Sequence, residues 1–321
     1  MKATWRDRYG GPEVLHINEL PKPTPKTGEL LIRVHASTVN RTDCGVLTGL
    51  PWVFRLFTGV ARPRHASTGT DFAGVVEAAG ANVTRFKPGD RVLGFYDEGI
   101  GSHAEYVAVP ESCPMVAIPE SIDFIMAAAS AEGAHYALNF MNKVPLGPGK
   151  RVLVNGATGA IGSAAVQFLV HAGAEVTAVC PTAQVERVRA LGPALVVDFQ
   201  KSDFTQLPGG YDFVFDAVGK STFGRCRHLL VPKGVYLSSE LGPGWQNPFL
   251  ALLGLVAPGK RVIFPFPVNI QGSLNQIRER LLDGSFKPMV DRTYPLDQAA
   301  DAFRYVLTGQ KIGNVVLLAG T

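Results

Sequence analysis

The four cysteines, Cys44, Cys113, Cys180 and Cys226, stand far apart and none forms a CxxC pair. That spacing argues against a disulfide framework and a structural zinc knuckle, and it fits free thiols in a reducing compartment. A Lys/Arg block is also lacking: the basic residues are scattered and the net charge is only +4. Nucleic acid is therefore not an expected partner. No apolar run approaches the ~20 residues of a membrane-spanning helix. The longest, FLALLGLVAP at 249–258, is expected to be a buried or interface helix, with no membrane partner. The opening MKATWRDRYGGPEVL has charges and a Gly-Gly-Pro turn where a secretory signal has a continuous apolar region, so a cytoplasmic protein is expected.

What is present is a chain of 321 residues, 46% hydrophobic and 18% charged. Such a chain can bury a large core and suggests about two domains of ~100–200 residues. LLIRVHAST (30–38), GVVEAAG (74–80), DRVLGFY (90–96) and HAEYVAVP (103–110) read as short strands bounded by Gly and Pro, so residues 1–121 form a mainly-β unit. From Ile122 the Ala-rich IDFIMAAASAEGAHYALNFM reads as a helix. RVLVNG, SAAVQFLVHAG, AEVTAVC and AQVERVRALG then alternate strand and helix, followed by LVVDF, DFVFDAVG, a helix through CRHLL, and GVYLSS. Alternation of this kind implies an α/β fold with a doubly wound parallel sheet, assigned to 122–269. The tail 270–321 ends in the strand NVVLLAG and is expected to rejoin the first domain.

The sharpest chemical signal lies between the first strand of this series and its helix, where Gly156-Ala157-Thr158-Gly159-Ala160-Ile161-Gly162 spaces its glycines GxxGxxG. Glycine suits a tight turn that lets the backbone approach a pyrophosphate, and a helix N-terminus favours the anion. Strand before, helix after and a second strand beyond make this a dinucleotide-binding turn. An Asp or Glu ending the second strand would accept from a ribose 2′-hydroxyl and repel a 2′-phosphate. Here that place reads Cys180-Pro181-Thr182-Ala183-Gln184, without an acid before Glu186. NADPH is accordingly expected over NADH, with Thr182 and Arg187 as the side chains available to a 2′-phosphate.

The segments MKATWRDRYGGPEVL, TVNRTDC (38–44), TGTDFAGVV (68–76), RFKPGDRVLGF (85–95), HAEYVAVP, NGATGAIG, DAVG (216–219) and GQKIGNVVL (309–317) resemble the zinc-less quinone oxidoreductase branch of the medium-chain dehydrogenase/reductase superfamily. The resemblance runs the full length and keeps motif order. It implies a Rossmann domain inserted into a GroES-like catalytic domain, substrate in the cleft between them, and commonly a homodimer joined through the Rossmann sheets. Where zinc-bearing relatives place their catalytic ligands this chain has Asn40, Thr70 and Ala131. None offers a thiolate or imidazole, so no metal site is expected.

Without a Lewis acid, a quinone or conjugated enone is an easier acceptor than a simple ketone, because charge spreads into an enolate that hydrogen bonds can hold. The resemblance offers Asn40 to the acceptor oxygen or the nicotinamide ribose, with a loop-capping Asn as the alternative, and Asp43 as a group that orients the cleft or caps the next helix. It puts His135 near the nicotinamide as a proton donor, the alternative being a helix histidine bonded to backbone. It gives Ala217-Val218-Gly219 and Leu241-Gly242 to the nicotinamide ribose through main-chain contacts. Gly45 stands where the family often has a tyrosine, which removes a plausible donor. Trp52, Phe54 and Phe57 are available to line an apolar pocket. Two further readings remain at this stage: a non-catalytic NADPH-binding redox sensor, and an alcohol dehydrogenase-type carbonyl reductase.

Overall fold

The computed structural model describes residues 1–52, 54–97, 99–254 and 258–320, and for Phe54 and Phe57 the backbone alone. The chain divides into two compact units, one of Met1–Glu132, Ile270–Leu282 and Pro288–Thr321, the other of Gly133–Asn269 and Asp283–Lys287.

The first unit begins with β1 (Lys2–Trp5) and β2 (His16–Glu19), an antiparallel pair. Next come β3 (Glu29–Val39), α1 (Arg41–Thr48), α2 (Phe54–Thr58), β4 (Asp71–Ala79), β5 (Arg91–Phe95), β6 (Tyr106–Pro110), β7 (Met115–Ala117) and α3 (Phe124–Ala129). β3 organises this unit, with β4 along one edge and β6 along the first half of the other. Leu30, Ile32 and Val34 alternate along it into one core with Phe72, Val92 and Val107, as a half-buried antiparallel sheet requires. The continuous helix expected over 122–141 is divided. The Ser130 hydroxyl and N–H both turn back to the Ala127 carbonyl and end α3, which packs on β3 and β4. Residues 122–132 therefore belong to the first unit, against the boundary expected at 122.

The second unit carries α4 (Glu132–Met141), whose first residue still counts with the first unit. It continues with β8 (Arg151–Asn155), α5 (Ala160–His171), β9 (Glu175–Cys180), α6 (Val185–Arg189), β10 (Leu195–Asp198), β11 (Tyr211–Asp216), α7 (Phe223–Cys226), β12 (Leu230–Ser238), α8 (Gln246–Leu253) and β13 (Arg261–Ile263). Its six strands lie in the order β10-β9-β8-β11-β12-β13, and every pairing is parallel. β8 and β11 are neighbours although two strands intervene in sequence, so the strand order reverses between them; such a switch point is where doubly wound sheets bind ligands. The apolar run 249–258 is described as far as Leu253 and from Pro258. Phe249 and Leu252 are exposed, not buried as one expectation had it, because α8 turns only part of its apolar surface to β13.

The chain returns through α9 (Ile270–Leu282), β14 (Val290–Pro295), α10 (Ala299–Leu307) and β15 (Asn314–Leu318). β15 pairs antiparallel with the second half of β3, Val315 against Val39, completing the first unit's seven-stranded sheet as the tail was expected to do.

His103 is a load on this unit that depends on pH. Its Nε2 donates to the Thr38 carbonyl at 2.8 Å, so its Nδ1 accepts from the Thr68 hydroxyl at 2.8 Å. The ring is neutral, and burial pushes its pKa down to about 4. Below the unfolded value near 6.5 the unfolded chain takes up a proton that the folded chain refuses, so this contribution to stability is lost as pH falls from about 6.5 to about 4. We expect the stability gap between wild type and His103→Gln, measured by urea unfolding, to shrink by on the order of 3 kcal/mol from pH 7 to pH 4. A gap independent of pH would show that the ring is not held neutral.

Candidate active site

The glycine-rich turn leaves β8 at its C-terminal end, beside the switch point. Gly156 has φ +87°, and a Cβ there would stand 2.9 Å from the Val218 Cβ. A Cβ on Gly162 would lie 2.1 Å from the Gly156 carbonyl oxygen. Both glycines are thus required by the protein itself. Gly159 differs: it is extended, with φ −75°, and its nearest neighbour for a Cβ is 3.5 Å away. The missing side chain there leaves open space above the first turn of α5, which has no side-chain cap. Free N–H groups beside open space at a helix start suit a phosphate.

A buried carboxylate that the sequence reading did not single out holds the neighbouring turn. Asp216, ending β11, accepts from Asn155 Nδ2 at 2.9 Å, from the Tyr236 hydroxyl at 2.7 Å and from the Gly219 N–H at 3.1 Å. These bonds join the ends of β8, β11 and β12, and they place Ala217-Val218-Gly219 against Gly156. Burial and the Asp216 charge raise the Tyr236 pKa, so its hydroxyl stays a donor. Gly219 has φ +66° and sits against Glu240, the residue before Leu241-Gly242. Three of the segments expected at a dinucleotide therefore converge on one end of the sheet.

At the end of β9, Thr182 and Arg187 are both exposed. The Thr182 hydroxyl, however, already donates to Asp198 Oδ2 at 2.7 Å. It is not a free donor, which corrects its expected availability to a phosphate.

In the first unit Asn40 caps α1. Its Oδ1 accepts from the Asp43 N–H at 2.8 Å, and Asp43 Oδ2 accepts from the Asn40 N–H at 3.0 Å, a reciprocal capping box. Asn40 Nδ2 donates to Thr70 Oγ1 at 3.0 Å. Two of the three positions that hold metal ligands in zinc-bearing relatives are thereby bonded to each other, and the third, Ala131, has no donor atom. Cys44, one residue after Asp43, is pushed up to about 12 by burial and the Asp43 charge, so it is a thiol and not a ready ligand. Asp43 itself is raised by burial and by Asp71, and Asp71 is raised to about 7 by burial despite bonds from Ser37 and Thr38.

Glu132 is a second group the sequence reading missed. Its Oε1 accepts from the Thr42 hydroxyl at 2.6 Å. Burial and the nearby Asp43 hold its carboxyl well above the usual range, which favours the protonated acid. Lys311 shares this surrounding and donates to the Gly313 carbonyl at 2.6 Å, its pKa lowered by burial. His135, expected as a proton donor, lies in the second unit. Burial pushes it to about 4, leaving it neutral at pH 7 and a poor acid. Trp52 is exposed, and the side chains of Phe54 and Phe57, expected beside it as pocket lining, lie outside the described residues.

Residues 26–120 match the alcohol dehydrogenase GroES-like domain, and residues 191–317 match the family described as zinc-binding dehydrogenase. The chain is 32% identical over 330 residues to the chloroplastic NADPH-dependent alkenal/one oxidoreductase of Arabidopsis thaliana, covering 99% of this chain and 79% of that one. It is 31% identical to the 2-methylene-furan-3-one reductase of Solanum lycopersicum, with 99% and 79% covered. Among solved structures it is similar to the quinone oxidoreductase of Coxiella burnetii, with a TM-score of 0.87 at 23% identity over 100% of this chain and 99% of that one. A GroES-like sheet rejoined by the chain's end, a doubly wound sheet with its glycine turn at the switch point, and full-length similarity to such oxidoreductases lead to one conclusion: the chain belongs to the medium-chain dehydrogenase/reductase superfamily.

Proposed function

We propose that the chain is an NADPH-dependent reductase of α,β-unsaturated carbonyl compounds and quinones that works without zinc. The observation that carries this reading is the uncapped start of α5 beneath Gly159, where open space meets free N–H groups at the sheet's switch point. Its support is the full-length similarity to an NADPH-dependent alkenal/one oxidoreductase.

The residues fit the cofactor. Gly156, Ala157, Thr158, Gly159, Ala160, Ile161 and Gly162 would hold the pyrophosphate, Ala217-Val218-Gly219 and Leu241-Gly242 the nicotinamide ribose, and Arg187 with the Thr182 corner the adenosine end. When bound, NADPH supplies a hydride to the electrophilic carbon of the acceptor. The residues do not fit zinc: Asn40 and Thr70 satisfy each other and Ala131 has nothing to offer, although the family matched at 191–317 is described as zinc-binding.

Oxygen stabilisation then falls to hydrogen bonds. Asn40 Nδ2 keeps one hydrogen beyond the bond to Thr70, and it donates this to the carbonyl oxygen, where charge develops. The capping box fixes that amide, since Asn40 Oδ1 is committed to the Asp43 N–H. The proton that completes reduction is held on Glu132; to pass it, the Thr42 hydroxyl turns its own hydrogen from Oε1 to the substrate side and accepts from the Glu132 carboxyl in its place. This assignment replaces His135.

Two measurements test the reading. Wild type should oxidise NADPH with a panel of enones and quinones, and Gly159→Val, which fills the space above α5, should weaken NADPH binding by fluorescence titration at least about tenfold. Tight NADPH binding with no turnover on any acceptor would favour a redox sensor instead. Replacing Glu132 by Gln should lower kcat on enones about a hundredfold with NADPH affinity unchanged. Wild-type kcat should decline as pH rises through the raised pKa of Glu132, whereas the variant should lack that limb because it has no proton to lose. An unchanged profile in Glu132→Gln would remove this residue from the proton path.

A further inference from the structure

The second strand of the parallel sheet ends without an acid, but its neighbour supplies one to the same corner. In the parallel pair β9 and β10, Cys180 and Asp198 are lateral partners. Asp198 Oδ2 accepts from the Thr182 hydroxyl at 2.7 Å, and Oδ1 accepts from the Gln200 N–H at 3.0 Å. Gln200 closes the loop by accepting from the Thr182 N–H at 2.9 Å through Oε1. Lys201 Nζ stands 3.7 Å from Oδ2. Partial burial works against the Asp198 charge, but the bonds from Thr182 and Gln200 outweigh it and hold the carboxyl below its usual range. Asp198 is therefore an oriented carboxylate, bonded to Thr182, the second residue beyond β9.

We propose that Asp198 is a specificity-determining residue for the dinucleotide, favouring a free ribose 2′-hydroxyl over a 2′-phosphate at this corner. The inference rests on the dinucleotide reading above and deepens it. Two effects act together. A carboxylate near the end of the second strand repels a phosphate carrying up to two negative charges, and the usual rule places that acid on the second strand itself. Asp198 also takes the one hydrogen of the Thr182 hydroxyl, which would have to leave the carboxylate to serve a phosphate. Among the cations close by, Arg189 is engaged with Glu186 on its own helix. Asp198 thus narrows whatever margin by which the protein prefers NADPH.

The test is the affinity of the full chain for NAD⁺ and NADP⁺ by isothermal titration calorimetry, in wild type, Asp198→Asn and Asp198→Ser. Both substitutions remove the charge, and Asn keeps the shape and an acceptor for Thr182, so the corner need not collapse. The expected result is a fall of about tenfold or more in the NADP⁺ Kd with the NAD⁺ Kd unchanged or raised, equivalent to ~1.4 kcal/mol in the ratio. Adenosine 2′,5′-bisphosphate against AMP, as probes of the adenosine end alone, should show the same shift. A wild-type NADP⁺/NAD⁺ ratio in both variants overturns the inference and leaves the dinucleotide reading standing. Failure of wild type to bind either nucleotide overturns that reading, and this inference with it.

Discussion

The Asp216 carboxylate is the constraint on which the nucleotide end of this protein depends. It lies fully buried at the end of β11, yet it accepts from Asn155 on β8, Tyr236 on β12 and the Gly219 N–H of its own turn. A buried charge is costly unless hydrogen-bonded, and removing one donor leaves a penalty of about 1–3 kcal/mol or more. The carboxylate therefore forces three parallel strands to end at one level. Because Val218 is fixed by that turn, Gly156 has no room for a side chain, and because Gly156 is fixed, Gly162 must pack bare against its carbonyl. The glycine pattern follows from the acid beside it as much as from any ligand.

The first unit solves a related problem differently. Asp71, Asp43 and Glu132 are carboxyls gathered in one buried neighbourhood, and Asp43 and Asp71 raise the pKa of Glu132. Burial pushes all three towards the neutral acid, and repulsion from neighbouring carboxyls adds to it for Asp43 and Glu132. A region that favours protonated acids is suited to reductions that end in protonation, and its Asp43 lies three residues from Asn40, whose amide is assigned to the substrate oxygen. The same surroundings keep Cys44 a thiol, so the low-dielectric environment that favours protonated acids disfavours soft metal ligands.

Much of the architecture is legible in the sequence because period and punctuation are local. The order of strands and helices, the glycine turn and the return of the last strand could all be read from runs of five to twelve residues. What escaped lies in pairs distant along the chain. Thr42 and Glu132 are 90 positions apart, and Asn155 and Asp216 are 61 apart. His135 misled for the converse reason: its residue type suits acid catalysis, but its burial, which no local pattern reveals, removes the charge.

On the proposal made for Asp198, the corner at Thr182 shows what the rule leaves out when it is applied along one strand only. The rule concerns the electrostatic potential at a ribose, and potential has no knowledge of which strand carries the charge. In a parallel sheet neighbouring strands lie about 4.8 Å apart, so an acid ending β10 is nearly as close to that ribose as one ending β9. Cys180 is neutral and Asp198 is its lateral partner, so the proposal treats the pair and not the single residue as the unit. Reading such a site therefore requires the sheet order first, because only the order states which strand ends are neighbours. Here β10 is the outermost strand and β9 its sole described neighbour in the sheet. Its terminal acid bonds both its own following loop, at Gln200, and the loop that β9 presents, at Thr182.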